Sequence, residues 1–197
     1  MSQHEQLNKI SLLYSNYFDD CLSIKDFVSR VNQIADAELI RTNDEKSYKK
    51  IKGDVFEIFC HFFVLERGSS PRIPVNKDSY EYANSIGDYG VDAIGLHNNT
   101  RITIQAKFRT NPEELITYEE VAKCITQSYI KYDVSPINSN IVFITTAKDF
   151  NDNVKNAISL KYRPYLINRD DIDRETRDNI YFWKKWNEFL QAPTSGV

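Results

Sequence analysis

The chain has 197 residues, a formal charge of −3 and a hydrophobic fraction of 41%. That length suits one domain with a terminal appendage, and the composition suits a packed core rather than a disordered chain. No apolar run approaches the ~18 residues of a membrane-spanning helix, and the net acidic charge argues against nonspecific coating of nucleic acid. The N-terminus, MSQHEQLNKI, lacks the basic-then-apolar layout of a secretion signal, so a cytoplasmic protein with no membrane partner is expected. Cys21, Cys60 and Cys124 are far apart and form no CxxC, and His4, His61 and His97 are equally scattered. Zinc is therefore poorly supported, and reduced, buried thiols are expected.

Helical spacing of Leu7, Ile10, Leu13, Tyr14 and Tyr17 predicts a helix over 6–19. A second, over 23–40, follows from Phe27, Val31, Ile34 and Leu39, with Asp26 in its first turn where the macrodipole favours an acid. Thr42, Asn43 and Asp44 offer N-caps for a third helix over 45–66. Its second half, Val55 to Leu65, is apolar nearly all round and so belongs in a core; Gly68 to Pro74 ends it. The cluster Lys46, Lys49, Lys50 and Lys52 on this helix reads equally as a solvated face or as a set of phosphate contacts.

Two β-rich runs follow, Val91–His97 and Arg101–Phe108, joined by the turn-forming Asn98-Asn99-Thr100. Residues 117–132 return to helical spacing, Ile141–Thr145 reads as a buried strand, and 150–160 as a short helix. Tyr165–Ile167 is a last strand, followed by helices near 170–178 and 180–190. The strand–helix–strand order predicts a parallel crossover onto the hairpin's sheet. The expected architecture is α/β, a mixed sheet flanked by helices. Trp183 and Trp186, at i and i+3, are expected to pack rather than stack on bases.

Chemistry concentrates in Gly87-Asp88-Tyr89-Gly90-Val91-Asp92 and Gln105-Ala106-Lys107. The glycines permit a close backbone approach, and Asp92, set among apolar residues, must be paired, capped or metal-bound. Strand alternation puts Gln105 and Lys107 on one face, with Ile104, Ala106 and Phe108 on the other. Pairing of the two runs as a hairpin brings Asp92 beside Gln105 and Lys107. Hard cations such as magnesium want oxygen ligands, which Asp92, the Gln105 side chain and the Ala106 carbonyl offer. Lys107 is placed to hold a water or to neutralise a phosphate. Taken singly, Asp92 also reads as a turn cap and Lys107 as a snorkelling surface residue. Asp88 reads as a turn residue or as a support to the motif, and Arg109 as a phosphate contact. Gln127 and Tyr132 either face the site or lie on ordinary helix surface, and Thr145 and Thr146 either touch phosphate or end a strand.

Asp92–Xn–Gln105-X-Lys107 resembles the motif of the PD-(D/E)XK nuclease superfamily, specifically its Mrr-like restriction endonuclease branch, where glutamine replaces the second acid. Gly53-Asp54-Val55-Phe56-Glu57 is similar to the family's upstream helix pattern. Ile144 to Phe150 and Leu166 to Ile172 resemble its later strands, so the likeness covers about 50 to 175 in family order. The resemblance implies a restriction-endonuclease-like core over 46–178, with an N-terminal helical extension over 1–45 and a C-terminal helix and tail over 179–197. It implies a Mg2+-dependent DNA endonuclease, Mn2+ substituting, that serves restriction or phage defence. Alternatives are a catalytically inactive binding or assembly module and a junction-resolving or repair nuclease. Asp92 would be the main metal ligand, with Gln105 and the Ala106 carbonyl beside it. Glu57 would reach the metal from across the site and Lys107 would position the attacking water. DNA contacts fall to Lys49, Lys50, Lys52 and Arg109. A homodimer and a fused or separate DNA-recognition or helicase module are the expected partners.

Overall fold

A computed structural model describes residues 3–83 and 90–191 (the backbone alone for 3–6 and 138). Gly87, Asp88 and Tyr89 of the glycine-aspartate run lie outside the described residues. The helices are α1 (Gln3–Tyr14), α2 (Ile24–Thr42), α3 (Glu45–Arg67), α4 (Tyr118–Tyr132), α5 (Asp152–Ala157), α6 (Arg169–Thr176) and α7 (Ile180–Gln191). The strands are β1 (Glu81–Tyr82), β2 (Ala93–His97), β3 (Thr100–Lys107), β4 (Ile141–Thr145) and β5 (Tyr165–Ile167). The protein is thus α/β, as its sequence pattern predicts. The chain forms two compact units, residues 3–62 with 172–191, and residues 63–171.

The first unit is helical. The helix predicted over 6–19 ends at Tyr14 and tightens into a 3-10 turn, Ser15–Phe18, that buries Phe18. Helix α2 starts where Ser23 accepts from the Asp26 amide at 3.1 Å, and α3 where Asp44 accepts from the Ser47 amide at 3.1 Å. Both caps satisfy amides that have no partner within the helix. The apolar half of α3 is buried from Val55 to Val64 apart from the half-buried Glu57 and His61, and Phe59 lies at its centre. Its ring centroid is 4.3 Å from Phe27, 5.5 Å from Trp186 and 6.0 Å from Trp183. Trp183 and Trp186 are buried to 1% and 0% exposure, so they are packing residues.

Glu38 of α2 is buried among these helices and fully partnered. It accepts from Lys9 at 2.7 Å, from the Tyr14 hydroxyl, and from two nitrogens of Arg41 at 2.9 and 2.8 Å. The Arg41 hydrogen bonds do most to hold its carboxyl at about 2, below its ordinary 4.5, against the opposing effect of burial. A carboxyl with a depressed folded pKa contributes stability above its ordinary pKa and loses it as pH falls through the folded one. Glu38→Gln should therefore be less stable than the wild type at pH 7, with the gap closing between pH 4.5 and about 2. Denaturant unfolding across that range checks the sign.

The second unit is built on one sheet in the order β1-β2-β3-β4-β5. The first three strands pair antiparallel and the last three parallel, the crossover that the strand–helix–strand order predicts. Asn98 and Asn99 adopt φ of 48° and 62°, a left-handed pair that makes a two-residue hairpin turn. Thr100 pairs with His97 instead of joining the turn. At the end of α3, a Cβ on Gly68 would lie 2.5 Å from the Val64 carbonyl oxygen and 2.6 Å from that of Val75. Only glycine fits where the chain leaves that helix.

Strand β3 is the middle strand, buried on both faces from Ile102 to Ala106. Its Thr103–Gln105–Lys107 face lies under α4. Thr117 and Glu120 start that helix as a reciprocal capping box, and the chain leaves it at Asp133 in left-handed geometry. Val121, Cys124, Phe143 and Phe150 form the core between helix and sheet. The three cysteines are buried thiols, as their spacing predicts.

Candidate functional site

The hairpin register fixes the site. Ala93 pairs with Ile104, and the Asp92 amide donates to the Ile104 carbonyl at 2.9 Å, so Asp92 stands one step further along, beside Gln105. Asp92 Oδ2 accepts from the Ala106 amide at 2.7 Å and from Gln105 Nε2. The same Nε2 donates to the Ala106 carbonyl at 3.0 Å. Two oxygens of different chemistry thus converge on one positive edge of an amide. Gln105 is 3% exposed, and its Oε1 has no hydrogen-bond partner. An orphaned buried amide oxygen costs about 1–3 kcal/mol, and it lies within one bond rotation of the point where the other two oxygens meet.

Gly90, at φ 75°, closes this corner. A Cβ there would lie 3.2 Å from Lys123 Cγ and 3.5 Å from Gln105 Oε1, so a side chain would fill the space beside the orphaned oxygen. Lys107 ends β3 on the same face as Gln105 and is half-buried. Its ammonium makes no hydrogen bond or ion pair among the described residues. The Cys124 thiol on α4 is pushed up to about 12, chiefly by burial, and feels both the Asp92 and the Lys107 charges. Asp92, Gln105, the Ala106 carbonyl and Lys107 therefore gather at one end of the sheet.

The other expected residues are placed differently. Lys50 is bound to the buried Asp54 at 2.6 and 2.8 Å, and Lys52 lies over the Tyr48 ring with its ammonium 2.9 Å from the hydroxyl. Of the three lysines expected to contact DNA, Lys49 and Lys50 stand exposed and Lys52 is half-buried. Glu57 is half-buried on α3, in the helical unit. Arg109 donates to Glu120 at 2.6 Å. Thr145 and Thr146 end a strand: their hydroxyls donate to the Lys107 carbonyl at 2.7 Å and the Arg109 carbonyl at 2.8 Å. Both threonines are fully buried, so they brace the end of β3 rather than meet a ligand.

Sequence reasoning missed Ser128 and Glu120. The face that α4 turns to the sheet runs through Val121, Cys124 and Ser128, and Gln127 is half-exposed beside it. The Ser128 and Thr103 hydroxyls share a buried hydrogen bond of 2.6 Å directly behind Gln105 on β3. Ser128→Ala should destabilise the protein by about 1–3 kcal/mol, because Thr103 is left with an unpaired buried hydroxyl. Adding Thr103→Val should recover most of that loss in denaturant melts. The signal for Glu120 was present in the sequence as Thr117-x-x-Glu120, a capping box.

Among the described residues, no group of three His, Cys, Asp or Glu side chains is placed to hold a metal ion, and no helix is long and apolar enough to cross a membrane. The donor set at Asp92 is of another kind: one carboxylate, one amide and one backbone carbonyl. Comparison of the chain with protein-family models, with curated proteins and with solved structures gives no match.

Proposed function

We propose that the protein is a divalent-metal-dependent DNA endonuclease of the PD-(D/E)XK type with a restriction-endonuclease-like core, working in restriction or phage defence. The observation that carries this reading is the convergence of Asp92 Oδ2 and the Ala106 carbonyl on the amide of a buried glutamine whose own oxygen is orphaned. Oxygen donors of mixed type suit Mg2+ or Mn2+, ions that keep several waters and need few protein ligands. Asp92, Gln105 and the Ala106 carbonyl would hold the ion. The amide presents its nitrogen to the two oxygens here; to act as a ligand it must present Oε1, and the two atoms exchange by rotation about one bond.

A bound divalent ion supplies charge neutralisation and a water acidic enough to attack at neutral pH. The residues of the chain do the rest. Asp92 is fixed by the Ala106 amide, so its carboxylate is aimed before substrate arrives. Lys107, next on the same strand face, is positioned to hold the attacking water and to offset charge on the phosphate. Glycine at position 90 keeps a side chain out of the narrow space beside the Gln105 amide. No side chain in this set is a suitable covalent nucleophile, so direct hydrolysis is the expected chemistry, with the 5′-phosphate and 3′-hydroxyl ends that the family resemblance implies.

Supercoiled plasmid incubated with the purified protein and Mg2+ or Mn2+ tests the reading. The wild type should nick or linearise it, and Asp92→Ala and Lys107→Ala should not; equal cutting by the variants would refute the assignment. One such site cuts one strand, so double-strand cleavage is expected to need two copies. Linearisation in one encounter by a species that stays monomeric would contradict that requirement. DNA that is bound but never cut would leave the inactive-module alternative in its place.

A further inference from the structure

Arg109 and Glu120 are not spent on holding the fold in the way their pairing suggests. Arg109 follows β3, and its backbone is clamped by Thr146, whose hydroxyl accepts from the Arg109 amide at 2.6 Å and donates to its carbonyl at 2.8 Å. Its Nη1 donates to the Phe108 carbonyl at 3.1 Å. The Arg109 backbone and one nitrogen of its guanidinium are therefore held before Glu120 is considered. Glu120, for its part, caps α4 through Oε2, which accepts from the Thr117 amide at 3.0 Å. A glutamine would make that cap equally well. The charge on residue 120 thus adds nothing that the cap needs, and it is directed through Oε1 onto Arg109 Nη2 at 2.6 Å. Both side chains stand at the rim, 20% and 24% exposed. Burial opposes ionisation of the Glu120 carboxyl, yet the Thr117 amide, Arg109 and, least of these, the nearby Lys107 charge together hold it below its ordinary range.

We propose that Arg109 is a phosphate-binding residue whose Nη2 is held by the Glu120 carboxylate when no nucleic acid is bound, the carboxylate giving way to a DNA backbone phosphate beside the Asp92–Lys107 site. A carboxylate and a phosphate both accept strongly from a guanidinium nitrogen, so they compete for it. Glu120 then lowers affinity for DNA and makes phosphate binding an exchange instead of an addition. The inference deepens the nuclease reading by naming a phosphate subsite, and it rests on that reading for the identity of the polymer.

The test is binding of a short labelled duplex, measured by anisotropy across a salt series with Ca2+ present. The proteins compared are the wild type, Glu120→Gln, Arg109→Gln, the double variant, and Glu119→Gln as a neighbouring charge control. Glu120→Gln should bind roughly three- to tenfold tighter at low salt, and its slope of log K against log salt should steepen by about one, the signature of one more neutralised phosphate. The double variant should lose that gain, and Glu119→Gln, which removes the same charge away from Arg109, should gain less than Glu120→Gln. An unchanged Glu120→Gln affinity, or a gain that survives Arg109→Gln, overturns the subsite and leaves an ion pair of structural value only. Wild type that binds and fails to cut, with Glu120→Gln still gaining through Arg109, would remove the nuclease activity and keep the subsite. Absence of duplex binding by every variant overturns both.

Discussion

Asp92→Ala should reduce cleavage by on the order of 10^3-fold or more, at saturating metal, while the protein remains folded. A divalent ion is worth several kcal/mol of charge stabilisation at a reacting phosphate, and each ~1.4 kcal/mol is tenfold in rate. Among the described residues, Asp92 is the one carboxylate hydrogen-bonded to both Gln105 and the Ala106 amide. Truncation also leaves the Ala106 amide and Gln105 Nε2 short of an acceptor, a stability loss of about 1–3 kcal/mol. Asp92→Asn separates the two effects, since it keeps an oxygen for the amide and removes the charge. If Asp92→Asn melts near the wild type and cuts at the Asp92→Ala rate, the loss belongs to metal and not to folding. Rates and melting curves of the two variants measure this together.

Phe59→Ala should be the most destabilising single substitution in the helical unit, at about 3–5 kcal/mol. The ring is fully buried and within 6.2 Å, centroid to centroid, of Phe27, Phe56, Phe182, Trp183 and Trp186. Loss of the ring removes its transfer free energy and leaves a cavity walled by rigid aromatic rings, which collapse into it poorly. Phe59→Leu fills more of that space and should lose less. Guanidinium melts give both values, and a Phe59→Ala loss below about 1 kcal/mol would show that the cluster is not the core of this unit.

Long periodic segments with clear caps were legible in the sequence. Asp44, one of three N-cap candidates, marks the start of α3, and the unbroken run Ile141-Val142-Phe143-Ile144-Thr145 is β4 to the residue. Strand β1 was not legible, because Glu81-Tyr82 is too short to show alternation and exists by pairing with Ala93 and Ile94. At the site, Asp92 beside Gln105 and Ala106 could be read because a two-residue asparagine turn fixes the register, and register fixes which side chains meet. Charges were the harder part. Lys50 and Arg109 counted as available cations, yet each is held by an acid: Asp54 one helical turn on, a pairing that the i,i+4 spacing itself suggests, and Glu120, which only the fold brings near. Thr145 and Thr146 carried the same ambiguity, since a hydroxyl at a strand end bonds a phosphate or a carbonyl with equal ease. Their burial decides for the carbonyls of Lys107 and Arg109.

The central claim is that three oxygens, from Asp92, Ala106 and Gln105, form a cation site beside Lys107. Diffraction at the manganese edge from crystals grown with Mn2+ addresses it directly. The expected result is one anomalous peak ligated by the Asp92 carboxylate and the Ala106 carbonyl, with Gln105 turned to present Oε1. A structure in which manganese binds elsewhere or not at all, while the Gln105 nitrogen stays on Asp92 and Ala106, would contradict the account.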